Sequence, residues 1–178
     1  SVYNAISTKK IVFIIFFFLS ISTSSELLAT PSIEAERLYN KASLLSNQGR
    51  YEEAEKLHKK ALKLRKKELG LEHPDVAVSL NDLGLLYFNQ GRFSEAEPLY
   101  KLSLSIREKI HGSEHPDLGV SFFNLALLYH NYGDYSEAET HYIKSLAIFE
   151  KAFGSEHFFV AHSLNNLGLI YFDQGRYS

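Results

Sequence analysis

The eight histidines of this 178-residue chain are its side chains best suited to holding a metal or moving a proton. Two pairs have near-ligand spacing, His111 with His115 and His157 with His162. Residues four apart on a helix share a face, so the first pair could converge on one zinc ion, and the second is one residue wider. But His73, His115 and His157 recur once every 42 residues, beside a glycine and a glutamate, in Gly70-Leu71-Glu72-His73, Gly112-Ser113-Glu114-His115 and Gly154-Ser155-Glu156-His157. A residue copied with the scaffold is more simply part of the scaffold, and no metal or cofactor is expected. The chain has no cysteine, which excludes disulfides, thiolate chemistry and cysteine-based zinc sites. No phosphate-binding loop, nucleophile elbow or zinc-protease helix motif occurs. No catalytic residue is assigned, and the chain is read as a non-enzyme.

Charge offers one more candidate. The formal net charge is −2, which gives no global pull toward nucleic acid. The strongest local feature is the basic run Lys56, Lys59, Lys60, Lys63, Arg65, Lys66 and Lys67. It reads as the solvated face of a helix, with contact to anionic lipid as the sharper alternative.

The 42-residue period organises everything else. One turn recurs four times, as Gly49-Arg50-Tyr51, Gly91-Arg92-Phe93, Gly133-Asp134-Tyr135 and Gly175-Arg176-Tyr177. Residues 77–118 and 119–160 are identical at 22 of 42 positions. Such self-similarity marks a stacked array. Within a unit, Leu80, Leu83, Gly84 and Tyr87 lie on one face of a helix predicted over 76–90, ended by Gly91. A second helix is predicted from Ser94, where Ser94-Glu95-Ala96-Glu97 reads as a capping box, repeated at Ser136-Glu137-Ala138-Glu139. Pro98 is then expected in its first turn, Gly112 at its end, and Pro116 at the start of the next helix. Columns of small residues (Ala42, Gly84, Ala126, Gly168; Ala54, Ala96, Ala138; Ala61, Ser103, Ser145) alternate with large ones (Leu83, Leu125, Leu167; Tyr87, Tyr129, Tyr171; Tyr100, Tyr142). Small side chains let helices approach closely, so the fold is all-α, a solenoid of helix–turn–helix units.

The order Leu83-Gly84, Tyr87, Gly91, Phe93, Ala96, Tyr100, repeated as Leu125-Ala126, Tyr129, Gly133, Tyr135, Ala138, Tyr142 and as Leu167-Gly168, Tyr171, Gly175, Tyr177, resembles the tetratricopeptide repeat (TPR). The 42-residue unit and the Gly-x-Glu-His-Pro-Asp linkers at 70–75 and 112–117 resemble the kinesin light chain subclass. The resemblance spans 31–178 and implies a right-handed α-solenoid with units at about 35–76, 77–118, 119–160 and 161–178. Two departures stand out. Phe158-Phe159 replace Pro-Asp in the third linker, and Lys41 replaces the leucine of its column, as suits a terminal unit with a solvated outer face.

The resemblance implies that the first helices line a concave groove for a peptide or partner protein. Its columns here would be Asn40, Asp82, Asn124 and Asn166; Tyr39, Asn81, Phe123 and Asn165; and Ser46, Phe88, His130 and Phe172. Asparagines can clamp an extended peptide backbone, or they can bridge neighbouring helices. Phe88, Phe123, Phe172 and Tyr39 would supply apolar anchor pockets. No Lys or Arg stands in these columns, whereas Asp82 and Glu36 are acidic. An acidic C-terminal tail is therefore not the expected ligand, and a neutral or mildly basic peptide is. Arrays that look like this one also precede catalytic domains, including caspase-like peptidases, so a sensing arm of a longer enzyme is the alternative.

Residues 1–29 fall outside the repeat. Lys9-Lys10 precede the apolar run Ile11–Leu19 and then small polar residues, the pattern of a secretory signal, with cleavage expected after Ser24 or Ala29. A span needs about 20 apolar residues. An uncleaved anchor using 11–29 would instead give a membrane-tethered scaffold. The chain is thus expected to be exported, or else membrane-anchored. With no methionine even at position 1, and a stop where a second helix should begin, it is read as a fragment. Leu164, Leu167 and Tyr171 are then expected to be partly unburied.

Overall fold

The computed structural model describes residues 32–175, which form seven α-helices and, among the described residues, no strand. They are α1 (Ile33–Asn47), α2 (Tyr51–Leu69), α3 (Pro74–Asn89), α4 (Phe93–His111), α5 (Pro116–Tyr132), α6 (Tyr135–Phe153) and α7 (Phe158–Asp173). The segment 1–29, on which the export and anchor expectations rest, and Arg176-Tyr177 of the fourth turn lie outside the described residues. No described helix is long and apolar enough to cross a membrane.

Each of the first three units is a pair of antiparallel helices joined by a glycine turn. Gly91 has φ +71°, a left-handed backbone that costs glycine little, and it lets Arg92 N–H return to the Tyr87 carbonyl. The longer linkers between units end on histidine. His73, His115 and His157 each occupy the N-cap, and the ring Nδ1 accepts from the backbone N–H two residues on, at 3.2–3.3 Å. One orphan donor of each first helix is thereby satisfied, with Pro74 and Pro116 at the first helical position. The repeated histidine is scaffold, and its task is capping.

The second helices start earlier than the capping-box reading predicts. Phe93 and Tyr135 are already helical, Arg92 caps α4 without a side-chain bond, and Asp134 caps α6 through Glu137 N–H. Ser94 and Ser136 therefore lie inside the first turn, and no capping box forms. Packing explains the shift, because Phe93 and Tyr135 pack against the apolar core from the first helical position. Glu95 turns to Arg92 instead, 2.7 Å away. The earlier start also moves Pro98 out of the first turn and into the helix body.

The core follows the columns. Tyr100 and Tyr142 are fully buried, and a Cβ on Gly84 would stand 2.9 Å from the Tyr100 ring, so α3 and α4 approach through a glycine. Phe149 presses on Gly119 in the same way. Ser103 and Ser145 donate across each helix pair to the carbonyls of Ala77 and Gly119, at 2.7 and 2.8 Å. Leu167 is buried, contrary to expectation, because it faces back onto the cluster of Ala126, Ala138 and Tyr142; Leu164 is half exposed. Lys41 is exposed, as its column departure suggested.

Consecutive first helices touch one another, α1 with α3 and α3 with α5. That contact puts them on one side of the array, and their outward faces form a continuous surface.

Candidate peptide-binding face

On α3, Asp82, Leu85 and Asn89 lie at i, i+3 and i+7 and share one face. The same face carries Asn40, Ser43 and Asn47 on α1, Asn124, Leu127 and Asn131 on α5, and Asn166, Leu169 and Asp173 on α7. Not all of the predicted columns remain open to a ligand. Asn81 is buried and accepts from Asn124 Nδ2 at 2.9 Å, a bridge between neighbouring units. Asn166 is buried and donates to the His162 carbonyl of its own helix. Asn40 is exposed and donates to Glu36, and Asn165 is exposed.

The aromatic columns divide similarly. Phe123 is half-buried between Tyr142, met edge-on at 5.3 Å, and His162, stacked at 4.8 Å. Phe88 is half-buried against Phe93, and Phe172 is exposed. His130 pairs with Asp173 of the next first helix at 2.8 Å. The face thus offers Leu85, Leu169 and Phe172 as exposed apolar points between polar ones.

Tyr39 belongs to a half-buried polar cluster at the first unit. Its hydroxyl donates to Asp82 at 2.5 Å, and the Arg65 guanidinium lies 4.2 Å from the ring centre. Burial and the neighbouring Asp82 carboxylate push its hydroxyl up to about 12. Arg65 was expected among the solvated cations of α2, but it is 3% exposed and turned inward. It donates to Glu36, to Ser79 and to the Asp75 carbonyl, because a buried guanidinium must find acceptors. Arg107 repeats the arrangement with Ser121 and the Asp117 carbonyl. Of the six lysines of the run, Lys56, Lys59, Lys60, Lys63 and Lys67 are exposed and Lys66 is half-buried.

Sequence reasoning missed the column Asn47, Asn89, Asn131 and Asp173, all exposed on the same side. The period itself was signal enough, since the column is visible at 42-residue spacing. The histidines resolve separately. His111 stacks on His115 at 4.0 Å, and ligand atoms of these two and Asp117 lie within 4.8 Å of one another. The His115 Nδ1 is already engaged as the cap of α5. His157 stacks on Phe153, while His162 lies between Phe123 and Phe158.

A family model for the tetratricopeptide repeat matches residues 34–109, 83–142 and 123–178. The chain belongs to the tetratricopeptide repeat family. It is of the kinesin light chain-like type: nearly identical TPR-like kinesin light chain repeats from Podosopora anserina share 28% identity with it. That match covers 83% of this chain and 70% of the other, with a TM-score of 0.73. BtubC (BKLC) from P. vanneervenii has the same fold at 23% identity and a TM-score of 0.76, over 83% of this chain and 59% of BtubC. The apo form of RapI is similar at 21% identity and a TM-score of 0.69, over 81% of this chain and 38% of RapI. The chain therefore spans less than two thirds of BtubC and of RapI. No curated protein matches the sequence. As a TPR array the chain is a protein-interaction scaffold.

Proposed function

We propose that this array binds an extended peptide segment of a partner protein along the face of its first helices. The observation that carries the reading is the exposed column Asn47, Asn89, Asn131 running beside Leu85 and Leu169. Amides spaced one per unit can meet successive peptide groups, and the leucines offer apolar contact between them. Asn81 and Asn166 are buried and committed to the scaffold; Asn124 and Asn131 each spend one N–H, on Asn81 and on the Leu127 carbonyl, and keep the other N–H and the oxygen for the ligand. The face has Asp82 and Asp173 but no lysine or arginine in its columns, which favours neutral or basic peptides over acidic tails.

The test is affinity at constant fold. Peptides selected from a random display library on the wild-type chain should bind the Asn89→Ala, Asn131→Ala double variant about tenfold more weakly, the loss of roughly 1.4 kcal/mol. Circular dichroism should be unchanged, since both side chains are exposed. Equal affinity would reject the face.

We further infer that residues 1–29 direct export, on the strength of Lys9-Lys10 before the apolar run 11–19. A mature N-terminus near Ser25 or Thr30 in an expressing cell supports this. An intact N-terminus in the membrane fraction replaces it with a tether.

A further inference from the structure

The first unit departs from its neighbours at three adjoining positions, always toward a smaller side chain. Ser43 stands where the other units have Leu85, Leu127 and Leu169. Ser46 replaces Phe88, His130 and Phe172, and His58 replaces Tyr100 and Tyr142. Together these changes open a pocket of about 170 Å³ between α1, α2 and α3, lined by Ser43, Ser46, Asn47, His58, Asp82 and Asn89 above a leucine wall.

The pocket presents acceptors. Ser46 gives its hydroxyl proton to the Ala42 carbonyl, so its oxygen accepts from the His58 Nε2–H at 3.4 Å. The other ring nitrogen, Nδ1, is itself buried and has no partner among the described residues, so it is not one of the acceptors that the pocket presents. Asp82 accepts from Tyr39 and Asn81, which leaves further lone pairs on both oxygens. Burial, aided by Arg65 and opposed by Asp82, holds His58 below its ordinary pKa, so the ring is neutral near pH 7. Arg65 is itself bound to Glu36, Ser79 and the Asp75 carbonyl.

We propose that this pocket takes one cationic side chain, a lysine or arginine of the bound peptide, with Asp82 as counter-ion and the Ser46, Asn47 and Asn89 oxygens around it. The proposal rests on the peptide-binding reading above and adds a specificity determinant to it. An ammonium brings three donors to a site rich in acceptors, while a carboxylate would meet Asp82 and a neutral ring.

Peptides selected on the wild-type chain are synthesised, and each lysine or arginine is replaced in turn by norleucine. Affinity is measured by fluorescence polarisation for wild type, Asp82→Asn, and the pocket-filling triple Ser43→Leu, Ser46→Phe, His58→Tyr. Each filling residue is the one that the next unit carries. One basic position should matter about tenfold on wild type, as for a charge-assisted hydrogen bond, and under about threefold on Asp82→Asn. The filled variant should bind the peptides weakly and lose that preference. If peptides bind in a manner sensitive to Asn89 and Asn131 but no norleucine replacement matters, the pocket is refuted and the face stands. A triple variant that binds as wild type does also refutes it. Displacement of the peptide by millimolar putrescine, with the His58 ring resonance following the amine alone, assigns the pocket to a free amine and overturns the peptide source. If no peptide is selected, or binding ignores Asn89 and Asn131, the face itself fails and the pocket proposal with it.

Discussion

The hydroxyl of Tyr87 donates to the carboxylate of Glu55 at 3.0 Å, and the same bond joins Tyr129 to Glu97 and Tyr171 to Glu139. Each one runs from the first helix of a unit back to the second helix of the unit before. The array is therefore stitched by a repeated polar contact as well as by its apolar columns.

At the first of these seams the charges are the densest. Burial raises the Glu55 carboxyl, but hydrogen bonds from Lys59, Arg92 and Tyr87 outweigh it and bring it down to about 2. The unfolded carboxyl titrates near 4.3. The folded pKa is thus the lower one, so the seam's contribution is full above pH 4.3 or so and is lost as pH falls toward 2. The Glu55 side chain is 17% exposed and its cationic partners are more so, so screening leaves roughly 1 kcal/mol or less. Glu55→Gln should lower stability by that amount at pH 7, and the gap to wild type should close between pH 4 and pH 2. Urea unfolding at four pH values measures it. A gap that persists at pH 2 would show that shape, not charge, is what Glu55 contributes.

A glycine pair separates close packing from conformational freedom. A Cβ on Gly119 would stand 2.6 Å from the Phe149 ring, which is itself buried. Gly119→Ala should cost about 1–3 kcal/mol by overpacking. Gly168 lies in the same type of helix with nothing within 4 Å of such a Cβ. Gly168→Ala should gain up to about 1 kcal/mol from helix propensity alone. Thermal melts of the two variants should move in opposite directions. Pairing Gly119→Ala with Phe149→Leu should recover part of the loss, and no recovery would rule out the ring contact as its cause.

The helix pairing and the core columns were legible because glycine turns and apolar spacing at period 42 leave few other ways to bury Tyr100, Tyr142 and Leu83. The starts of the second helices were not. A serine followed by glutamate signals a cap, yet Phe93 and Tyr135 join the helix first because their rings pack on the core, and tertiary burial overrides the local signal. The fate of the asparagines was hidden for a related reason. Asn81, Asn124 and Asn166 are one residue type in adjoining columns, and only the helix rotation decides which ones meet each other. Arg65 looked like one of a run of surface cations. It turns inward because its position, three after Leu62 and four after Ala61, falls on the apolar stripe of α2.

Capping by histidine gives a third expected outcome. His115 Nδ1 serves the Asp117 N–H, and its ring stacks on His111. Loss of a side-chain cap typically costs about 1 kcal/mol. His115→Ala should cost about that much, and His115→Asn, which can accept the same bond, should recover most of it. The chemical shift of the Asp117 amide proton follows the bond directly. Equal stability of the two variants would show that ring stacking, not capping, is the histidine's contribution.

Arg65 poses the sharpest energetic question, because a buried cation is costly to desolvate and strongly destabilising to leave unpaired. Its partner Glu36 is 46% exposed at the side chain, so water can solvate that carboxylate once the guanidinium is gone. Ser79 and the Asp75 carbonyl are its other acceptors, and Nε has no partner among the described residues. Incomplete satisfaction argues that the cation is tolerated more than it is stabilising. Phe149 occupies the corresponding position two units on, which shows that the column accepts an apolar side chain. Arg65→Met preserves most of the packed volume and should change stability by under about 1.5 kcal/mol. Arg65→Ala removes the stem packing against Tyr39 as well, and should cost about 2–4 kcal/mol, the range for large-to-small core changes. Chemical denaturation of the two variants decides the matter. A methionine variant as unstable as the alanine one would mean that the hydrogen bonds to Ser79 and Asp75 outweigh the desolvation of the guanidinium.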